Sequence, residues 1–203
     1  MKTAKNVIVL TLITVIAGFL LGYVYDITKG PIDEATERAK QEAYKSVFAT
    51  ADSFTPVTGF NSDIASNGVN MAGISGVSID EALEAKDASG NLLGYVFTVT
   101  SSEGYGGDVQ LSMGVTNDGT INGIEFLSLS ETAGLGMNAN TPEFKSQFAG
   151  MNAKQISYTK SGKQNDYEID AISGATITTN AVTNAVNAGL SYFDTIAGGA
   201  ANE

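Results

Sequence analysis

The sequence predicts an α+β chain, with one membrane-spanning helix ahead of a single domain built from an antiparallel sheet and flanking helices. Three observations carry this prediction. Val7–Tyr25 is an uncharged, mostly apolar run near the N-terminus. Three β-branched and aromatic segments joined by turn residues occupy the middle of the chain. A long amphipathic pattern closes it. Helix, strands and then helix is the order of an α+β domain, and 203 residues suffice for one such domain plus an anchor. No internal repeat is present.

The anchor comes first. No charged residue occurs from Asn6 to Tyr25. A helix over Val7–Tyr25 would span about 28 Å, close to the ~30 Å hydrocarbon core of a bilayer. Tyr23 and Tyr25 fall where an interfacial aromatic belt would lie. A cleaved signal peptide would have a shorter apolar region and a small-x-small cleavage site, and Asp26–Pro31 offers none. Lys2 and Lys5 precede the run, so the positive-inside rule assigns residues 1–6 to the cytoplasm and residues 26–203 to the extracytoplasmic side of the cytoplasmic membrane. Gly18 and Gly22, with Thr11 and Thr14, make a small-residue stripe suited to packing against another membrane helix. The expected partition is cytoplasmic 1–6, anchor 7–25, juxtamembrane helix and linker 26–54, and domain 55–203.

Pro31 suits a first helical position. Ile32, Ala35, Ala39, Ala43, Val47 and Phe48 then recur at helical spacing. Phe54–Val77 is rich in Gly, Ser and Asn and reads as loops with at most a short strand. Leu92–Thr100, Val109–Thr116 and Thr120–Leu129 read as strands, with Asp87–Asn91 and Asn117–Gly119 as turns. The second turn is a bare hairpin turn, since no twelve-residue calcium loop surrounds it. Thr141-Pro142-Glu143 opens a short helix covering Phe144 and Phe148, and Tyr167–Asp170 reads as a strand. Ile177, Ala181, Ala185, Val186, Gly189, Leu190, Phe193 and Ile196 mark one face of a terminal helix.

Composition narrows the chemistry. The chain holds no Cys, His or Trp. Thiolate iron–sulfur clusters, haem attachment motifs, disulfides, His-dependent triads and His-ligated zinc are therefore excluded, and no metal site is expected. Net charge is −11, and the first 25 residues contribute +2, leaving −13 on the remainder. Nucleic-acid binding wants a basic surface, so it is not expected; the acidity reads as solubility.

Three glycine-rich turns are the candidate binding elements. Glu103-Gly104-Tyr105-Gly106-Gly107 precedes a strand, Glu131-Thr132-Ala133-Gly134-Leu135-Gly136 follows one, and Ser173-Gly174-Ala175-Thr176 opens the last helix. Glycines allow positive φ and close backbone approach. A helix start offers unpaired N–H groups and partial positive charge, which suit a phosphate. Taken singly, each reads first as a tight turn in a β-rich domain, and the last also as a helix cap from Ser173 or Thr176.

In this order, with the anchor, the hairpin at Asp118-Gly119, Phe144 and Phe148 between them, and Asp170-Ala171-Ile172-Ser173-Gly174-Ala175-Thr176 at the end, the chain resembles the G subunit of the Rnf-type ion-translocating electron-transport complex. It is also similar to the C subunit of the sodium-pumping quinone reductase complex. The resemblance covers nearly the whole chain. Family members commonly read Glu-Thr-Pro-Gly-Leu-Gly where this chain has Ala133, and many have an apolar pair where this one has Asp108-Val109.

The resemblance implies an electron-carrying flavoprotein subunit with FMN attached covalently, as a phosphoester, to Thr176, a phosphoprotein linkage made by a flavin transferase. Ser173, Gly174, Ala175 and Asp170 would form the attachment turn. Tyr105, Glu131, Thr132, Gly134, Leu135 and Gly136 would surround the ring. Asp170 would serve recognition or the turn rather than touch phosphate, because like charges repel. No independent catalysis is expected, and ion translocation would belong to the assembled complex of membrane subunits. Two other readings remain open from the residues: a membrane-anchored flavin carrier outside any ion pump, and a non-redox assembly module whose Ser-Gly-Ala-Thr is only a cap.

Overall fold

A five-stranded antiparallel meander organises the domain in the computed structural model, which describes residues 2–200. Its strands β1 (Ser53–Pro56), β2 (Val77–Lys86), β3 (Leu92–Ser101), β4 (Val109–Thr116) and β5 (Ile121–Leu129) lie in sequence order. A parallel pair, β6 (Ser157–Thr159) and β7 (Glu168–Asp170), stands apart from this sheet. The helices are α1 (Lys2–Val47), α2 (Ser62–Met71), α3 (Pro142–Lys145) and α4 (Thr176–Ala200), with a 3-10 turn at Gly136–Asn140.

The chain divides into two compact units, Met1–Lys40 and Gln41–Glu203. The first is helical. Its apolar side chains, Leu10, Ile13, Phe19 and Leu21 among them, are exposed, and this helix is long and apolar enough to cross a membrane. Pro31 does not begin a new helix, contrary to the sequence expectation: α1 runs through it. Proline lacks the N–H that would bond four residues back, a local loss that a long helix can absorb.

In the second unit, one face of the sheet carries the main core. Phe97, Val99, Leu111, Met113, Val115 and Ile121 are fully buried there with Val182, Ala185 and Val186 of α4. Most of the apolar face predicted for the last helix packs inward, but Ile177 is half exposed. A smaller cluster joins Tyr44, Val47, Phe48 and Ala51 to Leu83, Ala85 and Val96. Packing of the domain thus begins before residue 55. The Tyr44 hydroxyl donates to Glu81 Oε2 at 2.6 Å.

Within 54–77, β1 is the short strand that the loop reading allowed, and α2 corrects that reading. The α2 signal is thin: Asn61 caps Ile64 N–H at 3.0 Å, and Ala65 and Val69 are its only buried residues. β2 escapes the alternation pattern because Asp80, Glu81 and Glu84 interrupt it and a bulge falls between Ile79 and Glu81. The other predicted strands form within a residue or two of expectation. Thr141 caps α3, which is a single turn, with Phe144 inside it and Phe148 buried just beyond.

Candidate functional site

α4 begins at Thr176 directly after a turn held from several sides. The Asp170 N–H donates to Gln147 Oε1 at 2.6 Å, and Asp170 Oδ1 accepts from the Lys163 N–H at 2.7 Å. The Ala171 N–H donates to Thr159 O at 2.8 Å. Thr179, one turn into the helix, reaches back: its hydroxyl donates to Ala175 O at 2.9 Å and accepts from the Ile172 N–H at 3.1 Å. Deeper in the domain, buried Asn187 clamps Ile156, accepting from its N–H at 2.7 Å and donating to its carbonyl at 2.9 Å. Gly174 has φ +74, the left-handed backbone that lets the chain turn into the helix.

This bracing leaves the helix start uncapped. Neither Ser173 nor Thr176 hydrogen-bonds through its side chain to any described residue, and the N–H groups of Thr176, Ile177 and Thr178 have no protein acceptor there. The cap expected of a purely structural Ser-Gly-Ala-Thr is absent among the described residues. What remains is a free hydroxyl beside unpaired N–H groups at the positive end of a helix dipole, an arrangement that suits an anion.

Thr176 opens into a cleft of about 480 Å³ lined by Tyr105, Glu131, Thr132, Leu135, Gly136, Gly174, Ala175, Thr176, Ile177 and Thr178. Its size falls within the usual range for small-molecule sites, roughly 300–1,000 Å³. All three glycine-rich turns converge on it. Glu131 ties two of them, its Oε1 accepting from the Tyr105 N–H at 2.8 Å. Glu103 ties the first to α4, with Oε2 accepting from Asn184 Nδ2 at 2.8 Å. Gly136 permits the closest approach: a Cβ there would lie 2.6 Å from Thr178 Oγ1 and 2.7 Å from Glu131 Oε2. The apolar members Tyr105, Leu135 and Ile177 are exposed, at 71%, 42% and 51%.

Three of the predicted site residues lie outside this cleft. Gly134 sits on the exposed side of its turn with φ +75, and its carbonyl accepts from Asn138 Nδ2 at 3.1 Å. Ser173 lines an adjoining depression with Lys160, Ala171, Ile172, Gly174 and Thr176. Asp170 lines a third with Lys163 and Gln147, and stabilises the turn. Sequence reasoning misses Ile177, Thr178 and Lys160. Helical spacing assigns Ile177 to the core face, and Thr178 falls inside the helix, beyond the motif. Only the convergence of the first turn of α4 with Gly136 makes either visible. Among the described residues no group of three or more His, Cys, Asp or Glu side chains could hold a metal.

The residues present fit a flavin phosphate ester. A hydroxyl and unpaired N–H groups are available to a phosphate, exposed apolar side chains to a flat ring, and further polar atoms line the cleft.

Comparison with known proteins agrees with this geometry. A family model described as the FMN-binding domain matches residues 104–191, a span holding every candidate residue from Tyr105 to Thr176. The G subunit of the ion-translocating oxidoreductase complex of Methanosarcina acetivorans is 34% identical over 192 residues, covering 94% of each chain. The G subunit of the Na(+)-translocating ferredoxin:NAD(+) oxidoreductase complex of Acetobacterium woodii is 30% identical, over 93% of this chain and 90% of that one. Among solved structures, NqrC of Shewanella oneidensis superposes with a TM-score of 0.51 at 23% identity, over 62% of each chain. The C subunit of the Na(+)-translocating NADH-quinone reductase of Parabacteroides distasonis gives a TM-score of 0.51 at 22% identity, over 72% of this chain and 78% of that one. At such identities the two structures speak for the fold.

Proposed function

The chain belongs to the family of G subunits of ion-translocating, Rnf-type oxidoreductase complexes, and from that premise we propose that it is the flavin-carrying electron-transfer subunit of such a complex, with FMN held as a phosphoester on Thr176 Oγ1. The observation that carries this reading is the Thr176 hydroxyl itself. It stands at the mouth of α4, in a cleft, and is not used to cap the helix.

Attachment would be a group transfer made by a flavin transferase. Thr176 Oγ1 forms a bond to the phosphorus of the FMN half of FAD, the pyrophosphate P–O bond breaks, AMP leaves and the hydroxyl proton is released. The N–H groups of Thr176, Ile177 and Thr178 then face the ester phosphate. Their electrostatic contribution is about 0.3–1 kcal/mol, up to about 2 in a partly buried setting. That is too little to retain FMN against dilution, which gives the covalent link its purpose. Lys160, beside Thr176 in the adjoining depression, supplies positive charge to the same region.

Bound FMN supplies redox chemistry that no side chain of this chain can. The protein's part is to hold and tune. Leu135 and Ile177 offer apolar contact, Tyr105 covers the open side, and Glu131 fixes the spacing of two turns. The acidic domain stands on the extracytoplasmic side, with Lys2 and Lys5 inside. Its partners are the other membrane subunits, reached in part through the Gly18/Gly22 stripe.

The test is fluorescence of the protein band after denaturing electrophoresis, for the full chain exported together with a flavin transferase. A covalent carrier keeps its flavin through denaturation, and Thr176→Val loses it. A dark wild-type band beside a fluorescent control protein would leave the assembly-module reading in place.

A further inference from the structure

Besides the hydroxyls of Thr132 and Thr176, two further polar atoms lining the cleft have no partner among the described residues. Thr178 is only 1% exposed, yet it lines the cleft and no described residue hydrogen-bonds its hydroxyl. A helical threonine normally turns its hydroxyl to the carbonyl one turn back, as Thr179 and Thr183 do here at 2.9 and 2.8 Å. Thr178 does not. Glu131 commits Oε1 to the Tyr105 N–H, while Oε2 bonds no described residue. Both free atoms flank the bare Cα of Gly136, at 2.6 and 2.7 Å from the point a Cβ would occupy.

The Thr178 hydroxyl is therefore left for water or for a ligand that enters the cleft. The two atoms also differ in kind. The carboxylate only accepts, whereas the hydroxyl can donate. With no side chain at Gly136, both atoms pack close to its Cα. The imide edge of a flavin ring presents an N–H between two carbonyls, which needs an acceptor next to a donor.

We propose that Glu131 and Thr178 form the polar floor that binds the imide edge of the flavin, with Glu131 Oε2 accepting the imide N–H and Thr178 Oγ1 donating to a neighbouring carbonyl. The proposal rests on the flavin-carrier reading above. It makes Thr178 a ligand-binding residue and gives Glu131 a second task besides bracing Tyr105. It also assigns a sign to each group. A carboxylate facing the imide opposes loss of the imide proton, whereas a donor facing the carbonyl favours it.

The experiment uses the full chain exported with a flavin transferase. Intact mass is read first, so that wild type without flavin overturns the carrier reading rather than this proposal alone. Loaded wild type, Glu131→Gln, Thr178→Val and Thr178→Ser are then titrated with base, following the flavin's visible spectrum. Glu131→Gln is expected to raise the imide acid-dissociation constant roughly tenfold, equivalent to one pKa unit. Thr178→Val is expected to lower it, and Thr178→Ser to restore the wild-type value. Variants that titrate together with wild type, or that both move the same way, would overturn the floor.

A second readout keeps the proposal testable should Glu131→Gln not accumulate. Without flavin, Thr178→Val is expected to melt no lower than wild type, because no described residue bonds its hydroxyl. With flavin, it is expected to gain less from loading than wild type does. A Thr178→Val protein that melts lower when empty and gains equally on loading would refute the role.

Discussion

Gly136→Ala is the perturbation that reports most directly on how the cleft is built. A Cβ at residue 136 would meet Thr178 Oγ1 at 2.6 Å, Glu131 Oε2 at 2.7 Å and Glu131 Cβ at 2.8 Å. None of the three can yield freely. Thr178 is β-branched and sits in a helix, so its χ1 is restricted. Glu131 Cβ moves only with its backbone, and the carboxylate is held by the Tyr105 N–H. Overpacking costs about 1–3 kcal/mol, and this crowding places the variant at about 2–3 kcal/mol. For a domain of this size each kcal/mol lowers Tm by about 2–4 °C, so the drop is about 4–12 °C. The assay is a thermal melt of unloaded wild type, Gly136→Ala and Gly134→Ala, followed by the extent of flavin loading in each. Gly134 has φ +75 and nothing within 4 Å of its would-be Cβ, so its alanine incurs only the left-handed backbone penalty, about 1–2 kcal/mol. Gly134→Ala is expected to load like wild type, and Gly136→Ala to load poorly. A Gly136→Ala protein that melts and loads like wild type would refute the placement of Glu131 and Thr178 over Gly136.

Other outcomes follow from the bracing of the domain. Asn187→Ala leaves the buried N–H and carbonyl of Ile156 unpaired, and is expected to cost about 2–4 kcal/mol, seen as a lower denaturant midpoint with an unchanged slope. The carboxyl of Asp118 is held below its ordinary 3.8, chiefly by the Thr116 hydroxyl and then by the Thr120 N–H. The Asn91 side-chain amide acts first in the same way on Asp87. A carboxylate with a depressed folded value contributes stability that is full above its unfolded value and is lost as pH falls through the folded one. Stability should therefore decline below about pH 4, and Asp118→Asn should flatten that decline in melts taken across the acid range.

Much of the domain could be read from residue pattern because its strands are one-sided or fully apolar. Leu92–Thr100 and Val109–Thr116 carry unbroken β-branched and aromatic signals, and their turns are spelled in Asn, Asp and Gly. β2 could not be read in this way, since its acids lie on the strand itself and a bulge shifts its alternation. α2 buries only Ala65 and Val69, too little for a helical period to stand out among Gly, Ser and Asn. The helix start at Thr176 was legible because Ser-Gly-Ala-Thr marks one, while its reading as an attachment turn came from the resemblance and not from the local pattern. The floor of the cleft was not legible. Thr178 becomes a site residue only through a contact with Gly136, and no local pattern joins positions so far apart in the chain. Gly134 shows the converse: it belongs to a site-forming turn, but its φ +75 serves the turn and it does not line the cleft.

The central claim is that Thr176 Oγ1 carries the flavin. Its most direct measurement is the intact mass of wild type and Thr176→Ala, each exported with a flavin transferase that is active on a control protein. The account predicts that wild type gains one FMN phosphoester, about 438 Da for FMN less water, and that Thr176→Ala gains nothing. The same gain on both proteins would move the linkage to another residue, and no gain on wild type would contradict the claim itself.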